Sequence, residues 1–197
     1  MTRSRLLLGL ALAVALGAQF GLLTPDQRMA ASSAPPSAAA ALLGPVARLF
    51  ASAQWVRVDS AFADGRSAAA FALAERALEL DPGATEGWES LVWYQAIQLA
   101  APAREPDGER RRQWLENGLA VAERGERSAR EPAALARLAG DVLFVHADAQ
   151  PPTPWPGGRA ALLELAEERY LRAAELGDAQ ALESAQGVRR KLTALGE

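Results

Sequence analysis

Apolar residues recur at three- and four-residue spacing along the chain after Gly44, as in Leu73, Ala77 and Leu80. This spacing places apolar side chains on one face of an α-helix. The β-branched, alternating runs that indicate strands are missing, so the sequence predicts an all-α domain. Glycine and proline residues divide the pattern into seven predicted helices, over residues 45–63, 67–80, 85–100, 109–127, 133–147, 159–176 and 179–195.

A long apolar run stands near the N-terminus, directly after Arg3 and Arg5. Residues 6–23 carry no charge, and as a helix these 18 residues span roughly 27 Å, slightly less than the membrane hydrocarbon core of about 30 Å. The pattern predicts either a single membrane anchor or a cleaved signal peptide, because Ala15 and Gly17 supply small residues for a cleavage site. In both cases the basic residues stay in the cytoplasm and the rest of the chain lies outside it.

Residues 24–43 have a different composition, rich in alanine, serine and proline with few large apolar side chains. Such a segment buries too little apolar surface to fix a structure, so it is interpreted as a linker. The predicted organisation is an anchor or signal over 1–23, a linker over 24–43 and a helical domain over 44–197. The expected location is the bacterial inner membrane, single-pass with the domain outside the cytoplasm; cleavage would instead give a secreted or periplasmic protein.

Charge and cysteine content exclude several classes of function. The chain has 24 acidic and 21 basic residues, and without Arg3 and Arg5 the balance is 24 against 19, or about −5. Because nucleic-acid binding proteins usually present a basic surface, nucleic acid is not expected as a partner. The chain has no cysteine. This excludes disulfides, thiolate metal sites and the lipid-modified cysteine of a bacterial lipoprotein.

Residues 74–88, with the sequence AERALELDPGATEGW, carry the pattern of a helical-hairpin repeat. When Pro82 is given repeat position 32, Gly65 falls at the inter-helix turn, and Ala70 and Ala77 fall where paired helices approach closely. These residues resemble the tetratricopeptide repeat motif, whose period is about 34 residues. The resemblance implies antiparallel helical hairpins stacked as a short solenoid. Later units are degenerate, with insertions near residues 100–108 and 148–158.

A second resemblance covers about residues 45–147. This part of the chain is similar to a group of uncharacterised bacterial membrane-anchored repeat proteins. The similarity implies an anchor followed by repeats and brings no known activity or catalytic residue. The segments that carry this similarity are Gln-Trp-Val-Arg at 54–57, Leu-Asp-Pro at 80–82, Trp88, Val-Trp-Tyr at 92–94, Arg-Gln-Trp-Leu-Glu-Asn-Gly-Leu at 112–119 and Arg-Glu-Pro at 130–132.

Residues suited to catalysis are sparse. His146 is the only histidine, and one histidine supports neither a histidine-based metal site nor a Ser-His-Asp triad. Glu167 and Glu168 are typical of the solvated face of an amphipathic helix. Gly157 and Gly158 follow a proline run instead of a strand, so they do not indicate a phosphate loop. The sequence predicts a non-catalytic protein with no cofactor, no metal and no small-molecule substrate.

Aromatic residues give a clearer indication of function. In the repeat proteins that this chain resembles, the first helix of each hairpin lines a concave face. Tryptophan is a common anchor at binding interfaces, and acids beside it favour a basic peptide. The competing interpretation packs the tryptophans between helices. Carrying the concave positions over predicts a partner-binding groove formed by Trp55, Asp59, Phe62, Glu86, Glu89, Trp93 and Ile97.

These features predict a membrane-tethered scaffold that faces the cell envelope and binds a protein partner through its concave helical face. The first alternative is a structural subunit of a larger membrane complex, permanently covered by other chains. A hydrolase built on a helical solenoid is a further alternative, and it requires a convergent polar pocket with perturbed acids.

Overall fold

The computed structural model describes residues 44–196, and all of the regular secondary structure in this part of the chain is helical. A single 3₁₀ turn, Gly44–Val46, precedes the first helix, and α3 continues directly into a π-helical segment, Tyr94–Leu99. Every predicted helix is confirmed, with bounds within two residues of those expected when α3 is counted together with its π-helical segment. The helices are α1 (Ala47–Ala63), α2 (Ser67–Leu80), α3 (Thr85–Trp93), α4 (Gly108–Glu126), α5 (Pro132–Ala147), α6 (Gly158–Glu175) and α7 (Ala181–Gly196).

The predicted anchor or signal segment, 6–23, and the predicted linker, 24–43, lie outside the described residues. Among the helices that the structure does describe, none combines the length and the apolar character needed to cross a membrane.

Glycines in the left-handed conformation end α1 and α6. Gly65 has a φ of 72° and Gly177 a φ of 107°, a conformation that favours glycine because it has no Cβ. After α1, the Arg66 N–H donates to the Ala61 carbonyl at 2.8 Å, and after α6 the Asp178 N–H donates to the Ala173 carbonyl at 3.0 Å. This Schellman arrangement satisfies carbonyls at the helix ends and reverses the chain. The turn predicted at Gly65 is confirmed.

Consecutive helices pack against one another. α1 packs on α2, α3 and its π-helical segment pack on α4, α5 packs on α6, and α6 packs on α7. α5 also contacts both α3 and α4. One hydrophobic core therefore runs through the described domain, from Val58 in α1 to Val188 in α7. Ala70 and Ala77 are fully buried in it, which confirms the close helix approach predicted at these positions.

The loops after α2 and α4 lie together at one end of the helices. The Arg130 guanidinium donates to both carboxylate oxygens of Asp81, at 2.7 and 2.8 Å. The Arg130 N–H donates to the Gly83 carbonyl at 3.2 Å, and the Glu131 N–H donates to Thr85 Oγ1 at the same distance. Backbone and side-chain bonds thus fix the second hairpin beside the first.

The two long turns, after the π-helical segment and after α5, meet around the buried side chain of Arg111. Its guanidinium donates to the carbonyls of Glu105 and Pro106 in one turn, at 3.3 and 3.0 Å, and to that of Pro152 in the other, at 3.1 Å. Three carbonyl acceptors compensate part of the cost of burying this charge. One arginine therefore joins two insertions that are distant in sequence.

His146 joins the same region to the π-helical segment. Its Nε2 lies 2.6 Å from the Ala96 carbonyl oxygen, and its Nδ1 lies 2.9 Å from Thr153 Oγ1. Because a carbonyl only accepts, Nε2 carries the proton, and in the neutral ring Nδ1 accepts from the threonine hydroxyl. Burial lowers the pKa of His146; the bond to Ala96 acts in the opposite sense, and the charge of Arg111 adds to the lowering.

Gly118→Ala tests the close packing of α4 on the π-helical segment. An added Cβ would lie 2.6 Å from Ala96 Cβ and 3.1 Å from its backbone nitrogen. We expect the free energy of unfolding to fall by about 1–3 kcal/mol, measured by urea denaturation with circular dichroism. Gly187→Ala in α7 is the control, because its Cβ would meet nothing closer than 3.8 Å and alanine is the better helix former. Equal effects of both substitutions would contradict this packing.

His146→Gln tests the buried histidine. Below about pH 6.5 the unfolded chain protonates this residue, whereas the folded chain, with its lowered pKa, does not until a lower pH. The histidine's contribution to stability is therefore complete above pH 6.5 and declines as the pH falls towards the folded pKa. We expect the difference in unfolding free energy between wild type and variant to shrink from pH 7.5 to pH 5. A constant difference would contradict a neutral buried histidine.

Candidate functional site

A groove of about 550 Å³ opens between α1 and α3, with the edge of α5 at one side. Five of the seven predicted partner-binding residues lie in its walls, namely Trp55, Asp59, Phe62, Glu89 and Trp93. The remaining lining comes from residues that the sequence did not single out, Val58, Ser90, Tyr94, Gln98 and Leu138.

A second cavity, of about 440 Å³, continues the groove towards the loop after α2. It shares Trp55, Asp59 and Ser90 with the first and contains the predicted residue Glu86. Two neighbouring cavities therefore form one surface along α1 and α3. We call this surface, with the lining of both cavities, the α1–α3 groove.

Ile97 is placed differently from the other six predicted residues. Its side chain is half-buried and packs against the hydrophobic core, and Gln98 lines the groove beyond Trp93. The cause is the π-helical segment, Tyr94–Leu99. Its wider turn rotates the following side chains away from the positions that an α-helix would give them.

Helical spacing explains how the groove side chains meet. Trp55, Asp59 and Phe62 are four and three residues apart, as are Glu86, Ser90 and Trp93, so each set shares one face of its helix.

Gly87 lets the two faces approach. A Cβ at this position would lie only 2.5 Å from Cζ2 of Trp55. The indole of Trp55 therefore lies against the backbone of α3 in the space that a larger residue would occupy.

Sequence reasoning missed Leu138 and Tyr94. Leu138 belongs to α5, in the third hairpin, to which the concave repeat positions were not carried. Tyr94 stacks on Phe62 with ring centroids 3.7 Å apart, and it accepts a hydrogen bond from Arg104 at 3.3 Å. The same three- and four-residue spacing that selected Glu86 also selects Ser90, so this residue could have been found from the sequence.

The tryptophans fall into two environments. Trp88 is buried, its indole N–H donates to the Pro82 carbonyl at 2.8 Å, and Arg124 lies over its ring. Trp93 is 50% exposed, and Trp55 is half-buried in the groove wall. Within residues 44–196, neither Trp55 nor Trp93 has a hydrogen-bond, ring or cation partner. Packing between helices therefore explains Trp88, whereas the two groove tryptophans present free polar and aromatic surface.

Carboxylates give the groove a negative character. Partial burial raises the pKa of Glu89, and the neighbouring charges of Glu86 and Glu131 raise it further, while Arg137 acts in the opposite direction. Asp59, Glu86, Glu89 and Glu131 form no ion pair with any other described residue. These acids therefore repel one another, and Arg137 offsets only part of this repulsion at Glu89.

The groove chemistry suits recognition. Aromatic faces, indole N–H groups and carboxylates are groups that can contact a ligand, and the lining contains no histidine or lysine beside a nucleophile. Ser90 Oγ instead donates to the Glu86 carbonyl at 2.8 Å. His146 lies in the core, bonded on both ring nitrogens. Over the described range, no group of three or more metal-ligating side chains is arranged to hold a metal ion.

No protein-family model, curated protein or solved structure matches this chain.

Glu89→Gln tests the electrostatics of the groove. Because its pKa is raised, folded Glu89 binds a proton more tightly than the unfolded residue, so its ionisation lowers stability as the pH rises above about 4.5. We expect the variant to unfold at a higher urea concentration than wild type at pH 7, and this advantage to vanish near pH 4. Glu164→Gln, which removes an exposed carboxylate on α6, is the control. A destabilised Glu89→Gln at pH 7 would show that the carboxylate makes a favourable contact.

Proposed function

We propose that the chain is a tetratricopeptide-like repeat protein that binds a segment of a protein partner in the α1–α3 groove, without chemistry and without a cofactor. The observation that carries this proposal is the pair of tryptophans, Trp55 and Trp93, that face the groove without a hydrogen-bond, ring or cation partner among the described residues. Such side chains supply large contact area at little entropic cost when a partner covers them.

Several contacts support the repeat interpretation. α1 and α2 form a hairpin closed at Gly65, and α3 with its π-helical segment pairs with α4. α5 lies beside α3, as the first helix of the next unit would. Pro82 follows α2 and Pro132 begins α5, and the neighbouring residues Asp81 and Arg130 join these two positions by an ion pair. Stacked units of this kind bury a continuous core and leave a shared surface for binding.

We further propose that the protein works at the bacterial envelope. The support is the sequence pattern of Arg3 and Arg5 followed by the uncharged run 6–23, which is typical of a membrane anchor or an export signal. An anchor would hold the groove outside the cytoplasm beside the membrane. Cleavage would release the same domain as a secreted or periplasmic binding protein.

A structural subunit is the second candidate, and the outward surface of α1 favours it. Leu49, Phe50 and Val56 are 48%, 51% and 67% exposed. A terminal helix of a repeat stack usually presents a polar outer face. An apolar outer face on α1 is therefore suited to permanent contact with another chain.

Trp55→Ala/Trp93→Ala in the tagged full-length protein separates these functions. We expect wild type to capture a partner from membranes of the source cells, and the double variant to lose most of that capture, because the groove loses both aromatic anchors. Captured proteins are identified by mass spectrometry, and the variant's folding is checked by circular dichroism.

Phe50→Ala is the matched control, since Phe50 is 51% exposed and Trp93 is 50% exposed. Capture that survives Phe50→Ala and fails in the tryptophan variant supports the scaffold. The reverse result favours the structural subunit, and equal capture by all three proteins rejects the groove as the binding surface.

A further inference from the structure

We infer that the occupant of the α1–α3 groove is a basic protein segment, with a lysine or arginine side chain lying against Trp55 and Trp93 beside the carboxylates of Asp59 and Glu89. This inference rests on the proposed function and adds the chemistry of the partner to it.

The aromatic surface of the groove is suited to a cation. Elsewhere in the domain the fold places its own cations over aromatic rings: Arg124 lies 5.6 Å from the Trp88 ring centroid, and Lys191 lies 4.4 Å from that of Phe144. No cation of the described chain lies over Trp55 or Trp93. Because a tryptophan face attracts a cation more strongly than other rings do, these two rings are open to a cation from a partner.

The charges lead to the same partner. Most acidic side chains of the domain's other surfaces have an arginine or lysine beside them, as Glu75 has Arg124 and Asp148 has Arg159. Asp59 and Glu89 form no ion pair with another described residue, and at Glu89 the negative charges of Glu86 and Glu131 outweigh the positive charge of Arg137. A positively charged segment would neutralise this potential, whereas an acidic segment would be repelled.

Cations at the rim of the groove are already engaged. Arg130 and Arg48, which line the second cavity, lie 2.7 and 3.8 Å from Asp81, and Arg137 lies 3.4 Å from Asp178. None of the three forms an ion pair with Asp59 or Glu89. The groove therefore keeps its negative character in the free protein, and the missing positive charge would come from the occupant.

The dimensions fit a segment of several residues. The cavity of about 550 Å³ is within the range of sites that enclose a small ligand, and the adjoining cavity of about 440 Å³ extends it along α1 and α3. Leu138 and Phe62 supply apolar wall beyond the acids. A segment that combines a basic residue with apolar neighbours matches this lining.

The test uses fluorescein-labelled degenerate nonapeptides in four pools that differ in the central residue, which is lysine, arginine, norleucine or glutamate. Binding to the full-length protein is measured by fluorescence anisotropy. We expect the lysine and arginine pools to bind most tightly. Asp59→Asn/Glu89→Gln should weaken these two pools by about tenfold and leave the norleucine pool unchanged. Glu164→Gln/Glu183→Gln, which removes two exposed acids away from the groove, is the control and should bind all pools as wild type does.

Other outcomes reject different parts of the interpretation. If the norleucine or glutamate pool binds at least as tightly as the basic pools, and Trp93→Ala weakens it, the groove binds peptides but the basic partner is wrong. If no pool binds, or none is weakened by Trp55→Ala/Trp93→Ala, both the basic partner and the groove are rejected. A dimer that native mass spectrometry detects in wild type and not in Trp93→Ala would place a second copy in the groove and also overturn the inference.

Discussion

The contact of Trp55 with the backbone of α3 at Gly87 sets the distance between the first two hairpins. Because the indole occupies the space where a side chain would be, α1 and α3 lie close enough to share one groove. The same contact turns the remaining groove residues of both helices towards each other. Gly87 has no Cβ, so the backbone of α3 leaves room for the Trp55 indole. The groove is the part of the interface between α1 and α3 that remains open.

Ion pairs are distributed unevenly over the described domain. The ion pair of Asp81 with Arg130 holds neighbouring loops together, and the Asp81 carboxylate is largely covered. Asp59 and Glu89 serve no such purpose, and the raised pKa of Glu89 shows that its ionised form is disfavoured in the free protein. Carboxylates without an ion-pair partner in such surroundings lower the stability of a folded domain. Such a cost is common where residues serve binding.

Much of the architecture could be read from local signals. Glycine and proline fixed the ends of the helices, since Gly65 adopts a positive φ and Pro132 begins α5. Repeat spacing located six groove residues, because an α-helix repeats its faces regularly. The same rule did not place Ile97 in the groove lining, since the π-helical segment contains no glycine or proline that would mark it in the sequence. Leu138 required knowledge of how the third hairpin lies against the first two.

Because Arg111 donates hydrogen bonds to both long turns, the two turns form a single structural unit. Its guanidinium takes acceptors from both, and Pro152 lies 41 residues further along the chain. A chain shortened at only one turn would bury the guanidinium with part of its acceptors removed, a costly state. The two insertions belong to different hairpins, yet they must be gained or lost together. A minimal version of this domain therefore has to omit both turns and Arg111.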